Sequence, residues 1–148
     1  MLALRSEVFV VEQKCVYLDP DGLDVAAHHL FGWSVHEPET LMCGLRILAP
    51  GVAYAEPSIG RVVTSPRSRG SGVGRVLMER ALMESLRLYP GQGIRIAAQQ
   101  YLERFYAGLG FVTVSEPYDE DGILHVKMLL PNQTSNGVLT DRQSDEDD

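Results

Sequence analysis

The chain has 148 residues, a length that suits one domain. With 45% hydrophobic and 22% charged residues it has the material for an apolar core and lies outside the disordered and fibrous classes. Its net charge of -7 argues against nucleic acid as a partner, and no apolar run approaches the ~18 residues of a membrane span.

In chain order, Leu2, Leu4, Val8, Phe9 and Val11 share one broad helical face, with Arg5, Glu7, Glu12 and Lys14 mostly outside it. The segment lacks the basic, apolar and small-residue order of a signal peptide. Two well-separated cysteines, Cys15 and Cys43, form no CxxC motif, which predicts small buried thiols in a reduced, cytoplasmic protein. YLDPDGLD is a loop by its Asp, Pro and Gly content. Asp19, Asp21 and Asp24 lack the spacing and closing Glu of a calcium loop, so the prediction is a turn that lines a pocket, with no metal.

VAAHHLFGWSV and TLMCGLRILA read as neighbouring strands joined at HEPE, and YAEPSIGRVVTSP as a strand that Pro66 stops. A helix is predicted over 71–88, with a stripe of Val73, Leu77 and Ala81 and with Arg75 facing Glu79, and Arg80 facing Glu84, at i,i+4. IRIAA is a short strand, and QYLERFYAGLG a helix closed by Gly108 or Gly110. FVTVSEPY, the turn DEDG and ILHVKMLLP complete a mixed α/β pattern. The predicted domain is 1–131. The remaining 132–148 forms an acidic, solvated tail; its last ten residues carry five acids against Arg142 alone.

The segment VVTSPRSRGSGVGRVLME joins a β-branched run to a helix through Gly70, Gly72 and Gly74. A helix start presents N–H groups without intrahelical partners, and its dipole favours negative charge by roughly 0.3–1 kcal/mol. Glycines remove the Cβ atoms that would hold a phosphate away. Arg67, Arg69 and Arg75 add charge able to pair with phosphate oxygens. No Lys completes a nucleoside-triphosphate loop, and Arg75 stands where a dinucleotide fingerprint needs its third Gly.

The pattern Arg69-x-x-Gly72-x-Gly74 resembles the pyrophosphate loop of the GNAT acetyltransferases, [QR]-x-x-G-x-[GA]. YLERFYAGLGF resembles the later helix of that family, which ends in Y-x-x-x-G-F before a strand; here it runs from Tyr106 to Phe111. From about Arg5 to Met128 the chain resembles the ElaA-type members, and RSEVFV is also similar to the early segment of acyl-homoserine-lactone synthases.

The resemblance implies a mostly antiparallel sheet flanked by helices and an acetyl-CoA-dependent N-acetyltransferase. The acetyl group would pass directly, in a ternary complex, to a primary amine on a small molecule or peptide. Two alternatives are an acyltransferase related to the homoserine-lactone synthases and a non-catalytic acyl-CoA-binding module. The resemblance places Val62, Val63 and Thr64 beside the pantetheine arm, with the Val62 N–H on the thioester carbonyl. It places Arg69, Gly70, Ser71, Gly72, Val73, Gly74 and Arg75 around the pyrophosphate, with Ser71 also suited to cap the helix. Tyr106 is implied as general acid. The general base stays open among Glu12, His29, Glu116, His125 and water. Family members usually begin with a strand ahead of the first helix, and this sequence starts within that helix. The expectation is a missing first strand, an open edge near VAAHHLFGW and pairing with another chain, such as a homodimer.

Overall fold

A computed structural model describes residues 1–13 and 19–132. Cys15 and the acidic tail beyond 132 lie outside the described residues.

The first helix, α1, is α-helical over Leu2–Arg5 and continues as a π-helix over Ser6–Glu12. Its closing bond runs from the Gln13 N–H to the Val8 carbonyl, an i→i−5 contact (3.0 Å). The wider turn rotates the expected apolar stripe. Leu4 and Val8 are buried, whereas Leu2 and Val11 are exposed. Arg5, expected outside, is 1% exposed. A guanidinium tolerates this only when its donors are met, and here Asp19 (2.9 Å) and Asp24 (2.8 Å) meet them.

Seven strands follow: β1 His28–Trp33, β2 Leu41–Leu48, β3 Ser58–Thr64, β4 Ile94–Gln99, β5 Val112–Thr113, β6 Tyr118–Glu120 and β7 Ile123–Leu130. They form one sheet in the order β1-β2-β3-β4-β7-β5, with β6 also paired to β7. Among the described residues β3–β4 is the parallel pair, and the rest are antiparallel. This is the mixed, mostly antiparallel sheet expected, with β1 at one edge. The predicted strand FVTVSEPY is two short strands, β5 and β6, with a break between them.

Helix α2 (Val73–Leu88) and the five-residue α3 (Glu103–Ala107) cover one face. Leu45, Ile47, Ile59, Ile96, Val126 and Met128 pack there against Leu77, Met78, Ala81, Tyr106 and Phe111. Alternation along each strand sends the intervening residues to the other face. There α1 packs Leu4 and Val8 onto Val63, and Arg46 and Arg61 take up Asp21 (2.6 and 3.3 Å). The Arg75–Glu79 pair forms as expected (3.0 Å), but Glu84 is held by Arg87 (2.7 Å), not Arg80. Among the described residues no helix is long and apolar enough to cross a membrane.

Candidate active site

The parallel strands β3 and β4 share one register pair, Ser58 with Arg95, and then diverge. A cleft of about 750 Å³ occupies the opening. Val62, Val63 and Thr64 line it from β3, Ala97 and Gln99 from β4, Gly74 and Met78 from α2, and Tyr106 from α3. Glu12 and Gln13 close it from the end of α1, and Glu120, Asp121 and His125 from the β6–β7 hairpin.

Strand β3 bulges as it enters this opening. Gly44 pairs with Val63 and Arg46 with Gly60, so Arg61 and Val62 together oppose Leu45. Arg61 has φ 49, an uncommon value for a residue with a side chain. Ion pairs to Asp19 (3.0 Å) and Asp21 hold it there. Beyond the bulge the Ser65 N–H donates to the Met42 carbonyl of β2 (2.7 Å). By strand alternation the N–H groups of Val62 and Thr64 then point away from β2, into the opening.

Past Thr64, Ser65 accepts from the Arg67 N–H and starts a 3-10 turn, Pro66–Ser68. Gly70 and Gly72 follow with φ of +81 and +80, the left-handed conformation that side chains disfavour. Nothing lies within 4 Å of the Cβ either would carry, so the surface above the turn is open. Gly72 is the N-cap of α2, and among the described residues no side-chain cap bonds the helix start. Ser71, expected as a cap, instead donates its hydroxyl to the Ser68 carbonyl. The helix therefore starts at Val73 and not Ser71, with its donors uncommitted to a cap. Gly74 lies within the helix at ordinary φ, 3.7 Å from Thr64 Cγ2 when given a Cβ.

Of the flanking arginines, Arg69 is bound to Glu12 and Arg75 to Glu79. Tyr106 is 6% exposed, its ring edge-on to Phe105 (5.1 Å) and Phe111 (6.0 Å). Burial pushes its phenol up to about 12, so it holds its proton at neutral pH. The open strand pair, the uncapped helix start and the phenol thus face one cleft.

Residues 48–131 match the family model described as an acetyltransferase (GNAT) domain. The chain belongs to the GNAT family. It is 49% identical over 130 residues to UPF0039 protein sll0451 of Synechocystis, covering 88% of this chain and 83% of that one. It is 40% identical over 130 residues to Protein ElaA of Escherichia coli, covering 86% and 83%. A solved structure titled as an acyl-CoA N-acyltransferase from Pseudomonas aeruginosa superposes with a TM-score of 0.80 at 45% identity, covering 86% and 85%. The chain is thus a GNAT-fold acyltransferase, similar to ElaA.

Within this GNAT domain the four candidate bases separate. His29 lies on the edge strand β1, with Nε2 2.8 Å from the Asp24 carbonyl, and Glu116 is exposed between β5 and β6; neither lines the cleft. Glu12 and His125 do. Asp19, Asp21 and Asp24, expected to line a pocket, do not. They face Arg5, Arg46 and Arg61 in one network. The hydrogen bond from Arg46 holds the Asp21 carboxyl well below the usual carboxylate range. Burial opposes the Asp24 charge, but hydrogen bonds from Arg5 and Arg46 outweigh it and lower its pKa. Arg5, Arg46 and Arg61 each sit on a different element, so no local sequence signal announced their pairing with these acids.

Proposed function

We propose that the chain transfers an acetyl group from acetyl-coenzyme A directly to a primary amine of a small molecule or peptide. The observation that carries this reading is the opening of β3 from β4 beside an uncapped, glycine-bounded helix start. The two features fit the two ends of a coenzyme A thioester. The pantetheine amides can add to the open edge of β3 as a strand would. The diphosphate can take the N–H groups of residues 72–75 and the charge of Arg69 and Arg75.

Val62 offers its N–H to the thioester carbonyl, where negative charge grows as the amine attacks. Tyr106, protonated and buried, offers a hydrogen bond to the departing sulfur. Full transfer from a phenol near 12 to a thiolate of thiol pKa ~8.5 is uphill by several kcal/mol, so Tyr106 acts first by hydrogen bonding. Cys43 lies buried in the core, outside the residues that line the cleft, and burial pushes its thiol up, so it is not the group to carry an acyl intermediate.

Calorimetric titration with acetyl-CoA, followed by thiol release with spermidine, tyramine and a peptide with a free amino terminus, tests the reading. Binding with turnover and intersecting initial-rate plots is expected. Parallel plots would point to a covalent acyl-enzyme instead. Binding without turnover would point to an acyl-CoA-binding module, and no binding would overturn the reading.

A further inference from the structure

We infer that His125 is the base that takes the proton from the attacking amine, an assignment that rests on the acyl-transfer reading above. His125 lies on β7 opposite Gln99, and its side chain is 11% exposed at the cleft. Its Nδ1 is 2.8 Å from the Ile123 carbonyl. A carbonyl has no hydrogen to give, so Nδ1 is the N–H donor and the neutral ring keeps its lone pair on Nε2. Nε2 lies 3.5 Å from Glu120 Oε2, longer than a hydrogen bond, so its lone pair is not taken up by a donor there. Tyr118 tilts against the ring at 6.0 Å, and Gln99, opposite it on β4, donates to Gln13 at the end of α1 (3.1 Å).

The position in the sheet separates the base from the acid. Val126 and Met128 pack on the Tyr106 face, so alternation sends His125 to the opposite one. Both residues reach the same cleft because β3 and β4 part there. An amine approaching from the His125 side meets a thioester whose sulfur departs toward Tyr106. Glu12, the other candidate that lines the cleft, is already committed to Arg69 through both carboxylate oxygens.

An alkylamine, with a pKa like that of Lys, ~10, arrives as an ammonium at neutral pH. It gives one proton to Nε2. The freed lone pair forms the C–N bond, and the C–S electron pair leaves on sulfur. The nitrogen's surplus proton reaches the thiolate by way of the Tyr106 hydroxyl, so amide and thiol depart neutral. His125 returns its proton to solvent.

The test uses the full chain and the three amines above. His125→Asn keeps a side-chain N–H for the Ile123 carbonyl and removes the basic nitrogen. It is expected to lower kcat by about 10²–10⁴-fold while the Kd for acetyl-CoA stays within about twofold. Added imidazole should restore part of the rate to His125→Ala, which a merely structural role would not allow. Nitrogen NMR of ring-labelled protein should show Nδ1 protonated and Nε2 not. An unchanged kcat in His125→Asn, or an Nε2-protonated neutral ring, overturns the assignment alone. A native chain that binds acetyl-CoA yet releases no thiol with any of these amines overturns the transfer reading and the assignment with it.

Discussion

Glu12 and Arg69, 57 residues apart, form a two-pronged ion pair across the mouth of the cleft: Nη1 meets Oε1, and Nη2 meets Oε2 at 3.1 Å. The pair joins the end of α1 to the glycine turn, and it occupies the guanidinium proposed to grip a diphosphate. Hydrogen bonding to Glu12 raises the Arg69 pKa, so the charge itself is secure. Coenzyme binding must therefore exchange one anion for another at Arg69.

Glu12→Gln should tighten coenzyme A binding, because the competing carboxylate charge is gone. Both side chains are about two-fifths exposed, and exposed pairs contribute about 0.2–1 kcal/mol, so the gain is at most about fivefold. Calorimetry with coenzyme A measures it, and weaker binding would show that Glu12 supports the ligand directly.

Arg5 and Asp19 are 1% and 2% exposed, the most deeply buried of the ion pairs described. Removing one partner of such a pair costs about 3–5 kcal/mol, since the other charge stays buried. Arg5→Ala should lower the melting temperature by roughly 10 °C or more, and Arg5→Lys should recover only part of it because the fork to Asp24 is lost. A shift of a degree or two would mean that water reaches Asp19 when the guanidinium leaves.

The same network sets an acid limit on stability. Asp21 is held below its ordinary pKa by Arg46. A carboxylate with a lowered folded-state pKa contributes fully above its unfolded value, ~3.9, and the contribution fades as pH falls below that. Asp21→Asn should thus be less stable than the native chain at pH 7, with the gap constant down to about pH 4 and narrowing progressively below it. Urea unfolding across that range reads the gap, and a gap that stays constant throughout would exclude the linkage.

The sequence carried the elements and the turn because their signals are local. Gly70 and Gly72 announce positive φ, Pro66 ends a strand, and the 71–88 periodicity predicts the helix that forms over Val73–Leu88. What it did not carry is relational. Nothing in SIGRVVT announces that β3 leaves β4 after Ser58, since strand pairing depends on residues 37 positions away. Arg5 looked like a solvent charge because its partners lie in a loop 14 and 19 residues on. His125 could not be ranked among the candidate bases until the hairpin placed Glu120 beside it.

The glycine turn gives a paired prediction. Gly72→Asn keeps a residue tolerant of left-handed backbone, so the fold should lose less than about 1 kcal/mol. Its new side chain, however, projects into the open space above the helix start, and coenzyme A affinity should fall about tenfold or more. Gly74→Ala meets only Thr64 Cγ2 at 3.7 Å and should fold at least as well as the native chain. Equal coenzyme binding by native chain and Gly72→Asn would place the diphosphate elsewhere.

Tyr106 distinguishes a reacting phenol from a packing ring. Its aromatic body sits between Phe105 and Phe111, and Phe preserves those edge contacts. Tyr106→Phe should therefore leave the melting temperature and the acetyl-CoA Kd nearly unchanged. Turnover should drop by about 10²-fold, the lower end for acid–base groups, because the buried phenol near 12 is a weak acid toward a thiolate. Rates with acyl donors of lower leaving-group pKa should suffer less, since such sulfurs need less help to depart. A variant that loses stability and coenzyme affinity together, with no selective fall in turnover, would assign Tyr106 to the core alone.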